Sequence, residues 1–273
     1  MGRAPFPPER RIGFKNQALG DTRTAVLEAK RVAVVIPAFR EGRLIALTLS
    51  TLPSFVDAIY VVDDGSPDET SAAARAVDDA RVRVIRHATN LGVGAAIVTG
   101  YRAALAEHAD VVAVMAGDAQ MDPADLPAVL APVVAGRADY VKGNRFRSRE
   151  SRNMPWARRV AGKVLSFATR LASGLPVDDC QCGFTAASAH ALLTLPLDEL
   201  WPGFGYPNDL LLLLAEHDLR VAEVTVRPVY GDEQSGVRPW HALLILGLIV
   251  RRLRRTSRPL LASARHERAG RSI

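Results

Sequence analysis

Cysteine is scarce in this chain. Of 273 residues only Cys180 and Cys182 carry a thiol, one residue apart. Two thiols exclude a disulfide scaffold and a four-ligand cysteine zinc site, and they fit a reducing compartment. The pair reads as small residues in a tight turn beside Gly183. Aromatic side chains are thin at 6%. They are not interleaved with the basic stretches, as stacking platforms for nucleic acid would be. No apolar run reaches the roughly 18–20 residues of a membrane-spanning helix. Met1 to Arg31 is charged and broken by Pro5, Pro7 and Pro8, which is unlike a secretory signal. Residues 1–30 read as a loosely ordered arm. Lysine is also rare: the chain has 4 Lys and 31 Arg.

What is present is a core. The chain is 48% hydrophobic and 23% charged, which suits one large α/β domain rather than a disordered chain. The net charge of +6 is uneven. Arg145 to Arg170 and Arg251 to Arg271 each hold eight basic residues and one acidic, so the remainder is at −8. Concentrated arginine points to an anionic partner: a phosphorylated substrate, an anionic membrane or nucleic acid. The aromatic pattern argues against nucleic acid.

Short β-branched runs alternate with helical spacing. Strands are predicted at 32–36, 58–62, 82–85 and 111–115, with helices over 42–52, 68–79, 92–107 and 123–135. That alternation predicts a mostly parallel sheet with right-handed crossovers. Further on, a strand is expected at 139–142, a helix at 155–173, a turn region at 176–184, a helix at 207–217, a strand at 221–229 and a helix from Pro239 to Arg255.

In an open parallel sheet the ligand sits beyond the carboxyl ends of the strands. Pro37-Ala38-Phe39-Arg40-Glu41, Asp63-Asp64-Gly65-Ser66, Asn90-Leu91-Gly92-Val93-Gly94 and Ala116-Gly117-Asp118-Ala119-Gln120 follow the first four strands. Three of these sets carry carboxylates, which converge only if a cation or hydrogen-bond donors share them. Each set alone is also an ordinary cap or turn. A dinucleotide-binding dehydrogenase is set aside, because Pro-Ala-Phe-Arg-Glu stands where its glycine-rich turn is needed.

These strings, with Gly143-Asn144-Arg145-Phe146, Asp179-Cys180-Gln181-Cys182-Gly183-Phe184 and Gln234-Ser235-Gly236-Val237-Arg238-Pro239, resemble family-2 glycosyltransferases of the GT-A fold. The later pieces are similar to the dolichyl/polyprenyl-phosphate sugar synthase branch. The resemblance spans about residues 31–240. It implies that Pro37, Ala38, Glu41 and Asp64 contact the nucleoside of a UDP- or GDP-linked sugar. It implies that Asp118 and Gln120 hold Mg²⁺ or Mn²⁺ against the donor diphosphate, that Arg145 meets phosphate, and that Arg238 closes over the site. Asp209 lies near where relatives keep a catalytic base. Ala116 replaces the first acid of the family's Asp-x-Asp motif, so a metal site that forms mainly with donor bound is expected. The implied activity is sugar transfer to a polyprenyl phosphate by a single inverting displacement. The alternatives are a hydroxyl acceptor and a degenerate, non-catalytic nucleotide-sugar binder.

Two segments suit a membrane surface. In residues 155–173, Trp156, Val160, Val164, Phe167 and Leu171 fall within an arc of about 80° at helical spacing, bordered by Arg159, Lys163 and Arg170. Trp240 to Val250 is apolar and runs into Arg251, Arg252, Arg254 and Arg255. A helix of that length covers only about half a bilayer. The expected layout is a GT-A domain at 31–235, an interfacial helix at 236–258 and a disordered tail at 259–273. The expected location is the inner face of the cytoplasmic membrane, bound peripherally.

Overall fold

The computed structural model describes residues 30–229 and 244–252. The expected arm, Arg238, Arg254, Arg255 and the tail lie outside the described residues.

Seven strands form one sheet: β1 (Val32–Ala38), β2 (Ala58–Asp63), β3 (Val82–Arg86), β4 (Val111–Val114), β5 (Tyr140–Asn144), β6 (Thr185–Ser188) and β7 (Val221–Thr225). Their order is β3-β2-β1-β4-β6-β5-β7. All neighbours pair in parallel except β6, which runs antiparallel to both β4 and β5. The helices are α1 (Ile45–Ser50), α2 (Thr70–Arg75), α3 (Val93–Ala106), α4 (Leu126–Val134), α5 (Trp156–Ser173), α6 (Ala189–Thr194) and α7 (Tyr206–Glu216). Residues 244–252 are helical and are called α8 below.

The sheet is covered on both faces, which is why its central strands read as continuous apolar runs. In β1, Ala33 and Val35 join one core with Ala96, Ile97 and Tyr101 of α3 and Leu210 to Leu214 of α7. Val32, Val34 and Ile36 join the other, with Ile45 and Leu49 of α1 and Leu126 and Leu130 of α4. Each such side chain contributes roughly 1.5–3 kcal/mol when fully buried.

The expected turn region at 176–184 is irregular, but the strand after it was not foreseen. β6 reads Thr-Ala-Ala-Ser and lacks the branched apolar residues that mark the other strands. Small side chains suit its place between β4 and β5, where both faces are already crowded. The expected helices at 42–52 and 68–79 are shorter, at six residues each.

α5 bears out its periodicity. Gly162, Leu165, Ser166 and Thr169 are buried, and the opposite stripe faces solvent. Trp156 is 78% exposed, Phe167 69% and Leu171 78%. α8 departs from a wholly interfacial helix. Ile245, Leu248 and Ile249 are buried, as is Arg252. Among the described residues no helix is long and apolar enough to cross a membrane.

Candidate active site

The chain runs outward from β1 to β2 and β3, then returns to lay β4 on the other side of β1. That reversal opens a crevice at the carboxyl ends of β1 and β4. Backbone hydrogen bonds align the edge: Asp64 N–H donates to the Ala38 carbonyl at 2.9 Å and Met115 N–H to the Val35 carbonyl at 3.0 Å.

Three of the expected residues meet there. A Cβ placed on Gly117 would lie 3.5 Å from both Ala38 Cβ and Glu41 Cγ. The loop carrying Asp118 therefore packs against the loop carrying Glu41. The Thr48 hydroxyl fastens this contact by donating to the Gly117 carbonyl at 3.1 Å. Glu41 N–H donates to Thr70 Oγ1 at 2.9 Å, and Arg40 N–H to Ser66 Oγ at 3.0 Å. The loops after β1 and β2 are thus tied together.

Two non-glycine residues in these loops adopt left-handed backbone, Arg40 at φ 63° and Ala119 at φ 57°. Such residues cost of order 1–3 kcal/mol and gather at functional sites. Beside the turn at Ala119, the Gln120 amide donates to Asp118 Oδ1 at 3.0 Å.

Asp64 is buried and heavily engaged. It accepts from Leu91 N–H at 2.9 Å and Gly92 N–H at 2.8 Å, and pairs with His87 Nδ1 at 2.7 Å. His87 in turn meets Thr99 Oγ1 at 3.0 Å. Asp64 therefore orders the loop after β3. His87 was not singled out by the sequence, because one histidine at a strand end carries no pattern. Asp63 is fully buried. Burial raises its pKa, but hydrogen bonds from Ser66 and Ser71 and the charge of Arg86 outweigh that and hold it below the usual range.

The Gly-x-Gly after β3 does not leave the start of α3 open. The Gly94 amide donates to the Pro202 carbonyl at 2.7 Å, and a Cβ at Gly94 would collide with the Trp201 carbonyl. The loop at 201–205 caps this helix.

Arg145 follows β5 on the same edge of the sheet, since β5 is parallel to β4 across β6. Its guanidinium is bidentate to Asp179, with Nε at 2.8 Å and Nη2 at 2.9 Å. Asp179 is completely buried. The pair holds Arg145 in one place.

Asp209 is also tied down. It accepts from Arg252 Nε at 2.6 Å and from the Trp201 amide at 2.8 Å. Arg252 extends to Glu216 at 3.1 Å. Arg252 therefore leaves the set of surface arginines expected at an anionic membrane: it is buried, and a buried charge requires carboxylate partners such as these two.

Among the described residues no group of three or more His, Cys, Asp and Glu is placed to hold a metal. Asp118 with Gln120 is a sparse donor set. It fits a Mg²⁺-like ion that takes one carboxylate and draws its other oxygens from a diphosphate and water. Cys180 and Cys182 are buried free thiols, and Cys180 Sγ accepts from Ser166 and Asn208, both at 3.3 Å. That agrees with a packing role.

The sheet order and the crevice at its switch point are those of the GT-A fold. Solved structures of glucosyl-3-phosphoglycerate synthase from Mycobacterium tuberculosis share this fold. The complex with UDP matches with a TM-score of 0.64 and 24% identity, covering 90% of this chain and 86% of that one. The complex with Mg²⁺ and UDP matches at 0.65 and 22%, covering 90% and 85%. Residues 33–194 match the family model for Glycosyl transferase family 2, and the chain belongs to that family. It is 30% identical over 219 residues to UDP-N-acetylglucosamine–dolichyl-phosphate N-acetylglucosaminyltransferase of Methanococcus voltae, covering 74% of this chain and 87% of the relative. It is 33% identical over 202 residues to undecaprenyl-phosphate mannosyltransferase of Micrococcus luteus, covering 72% and 82%. The chain is a family-2 glycosyltransferase related to polyprenyl-phosphate sugar synthases.

Proposed function

We propose that the protein moves a sugar from a nucleotide diphosphate sugar to a polyprenyl phosphate, on the inner face of the cytoplasmic membrane. One observation carries the choice of acceptor. The exposed apolar stripe of α5, edged by Arg159, Lys163 and Arg170, begins just beyond the strand end that bears Arg145. An acceptor with an anionic head and an apolar tail matches both features.

Pro37, Ala38, Glu41 and Asp64 line the nucleoside end in this reading. Asp118 and Gln120 face the diphosphate, where they would hold Mg²⁺ or Mn²⁺. The ion would supply positive charge to stabilise the leaving diphosphate. Arg145 adds fixed charge at the phosphates. A phosphate oxygen of the acceptor attacks the anomeric carbon, and the bond from that carbon to the diphosphate breaks. The nucleoside diphosphate departs with the electron pair. No proton has to be removed, because the acceptor is already anionic.

The engagement of Asp209 supports this. A hydroxyl acceptor needs a general base within hydrogen-bond reach. Asp209 is buried in its contacts with Arg252 and Trp201, so it is poorly set for that task.

The test is transfer from a labelled nucleotide sugar to polyprenyl phosphate and, in parallel, to the matching polyprenol. Metal-dependent transfer to the phosphate alone is expected, with loss of donor binding in Asp118→Asn. Transfer to the polyprenol alone would favour a hydroxyl acceptor. Donor binding without turnover on either would favour a binding protein.

A further inference from the structure

A groove of about 350 Å³ lies beside α5, clear of the crevice between β1 and β4. That volume is at the lower end of small-ligand sites. Phe146, Val177 and Phe167 form its apolar wall, and Arg147, Lys163 and Arg170 bring three cations to it. Two acids face them. Asp178 pairs with Arg147 at 2.7 Å and with Arg170 at 2.9 Å, and Glu223 reaches Arg147 at 3.2 Å. Lys163 is exposed and, among the described residues, makes no ion pair.

We propose that this groove is a docking site for the phosphate-bearing headgroup of an anionic membrane lipid, separate from the reacting acceptor. The proposal rests on the membrane reading above. Phe167 belongs to both the groove and the stripe, so the two surfaces are continuous. With Trp156, Phe167 and Leu171 seated among acyl chains, the groove opens at headgroup depth. Lys163 then supplies the charge that Asp178 and Glu223 do not neutralise, and Arg147 and Arg170 are held by these acids in fixed positions. α5 carries Arg158, Arg159, Lys163 and Arg170 and no acidic residue. That complementarity favours an anionic bilayer over a protein partner with a mixed surface.

The test uses the full chain and vesicles of phosphatidylcholine mixed with either phosphatidylglycerol or cholesteryl hemisuccinate, matched in surface charge. The first offers a phosphate headgroup and the second a carboxylate. The wild type is expected to bind the phosphatidylglycerol vesicles about tenfold more tightly. Lys163→Gln should erase that preference with an unchanged melting temperature, and Lys163→Arg should keep it. Equal binding to both vesicles, or a preference that survives Lys163→Gln, overturns the site. If the wild type binds neither vesicle, the membrane reading falls with it. Lys163-dependent binding without sugar transfer to polyprenyl phosphate would keep this site and overturn the acceptor.

Discussion

The two halves of the sheet edge hold their carboxylates in different ways. In the loops after β1 to β4, buried acids are satisfied largely by backbone amides and small hydroxyls: Asp63 by Ser66 and Ser71, Asp64 by Leu91 and Gly92. In the β5 to α8 half they are satisfied by guanidinium groups, Asp179 by Arg145 and Asp209 by Arg252, and the half-exposed Asp178 is likewise held by Arg147 and Arg170. The first arrangement shapes the loops mainly with neutral donors, although Asp63 also pairs with Arg86 at 2.8 Å. The second places fixed cations near where phosphates are expected, and it makes the arginines structural as well as functional.

That contrast has an ordered set of consequences. The largest concerns Arg145→Ala, which leaves the fully buried Asp179 without its bidentate partner. Breaking one side of a buried pair costs about 3–5 kcal/mol. Urea denaturation should show that loss alongside any loss of transfer. A variant with full stability and no activity would mean the pair adds nothing to the fold.

Asp64→Asn should cost less, about 1–3 kcal/mol, the scale for backbone donors left poorly matched in a buried site. Hydrogen exchange at the Leu91 and Gly92 amides should rise, and donor affinity should fall in calorimetry. Exchange as slow as in the wild type would show that the loop after β3 is held by other contacts.

Lys142 tests the cationic half from inside. It is fully buried, and its Nζ has no hydrogen-bond partner. Burial lowers its pKa, and the charge of Asp179 offsets this only in part. The unfolded chain therefore binds a proton more readily than the folded one between the two pKa values. Stability should rise with pH as it approaches the ordinary lysine range. Lys142→Met should flatten that slope and raise the unfolding free energy at neutral pH by an amount on the order of 1 kcal/mol. A slope unchanged in the variant would assign it to another group.

The smallest effect on stability is expected for Trp156→Ser with Phe167→Ser. Both side chains are exposed, so unfolding free energy should shift by about 0.5 kcal/mol or less. Vesicle binding should fall sharply in the same variant. A large loss of stability would show that the stripe packs against the protein itself.

Much of the architecture was readable locally. The runs at β1, β2 and β4 are buried on both faces, so nearly every residue is apolar and the strand declares itself. Asp64 and Asp118 stand next to those runs, so their position at the sheet edge follows directly. The stripe of α5 is a matter of helical angle and needs no neighbour. β6 was illegible because Thr-Ala-Ala-Ser has no period. Its identity as a strand comes from the gap between β4 and β5 that it fills.

The sequence by itself determined the alternating α/β order, the acids at the strand ends and the two-faced helix α5, because each depends on residues within a few positions of one another. Only the tertiary structure decided the partners. Arg145 finds Asp179 34 residues away, and Arg252 finds Asp209 43 residues away. A buried charge must be neutralised by whatever the fold brings to it. That is why an arginine expected at a membrane lies inside the protein, and why Asp209, near where relatives keep a catalytic base, is held by it.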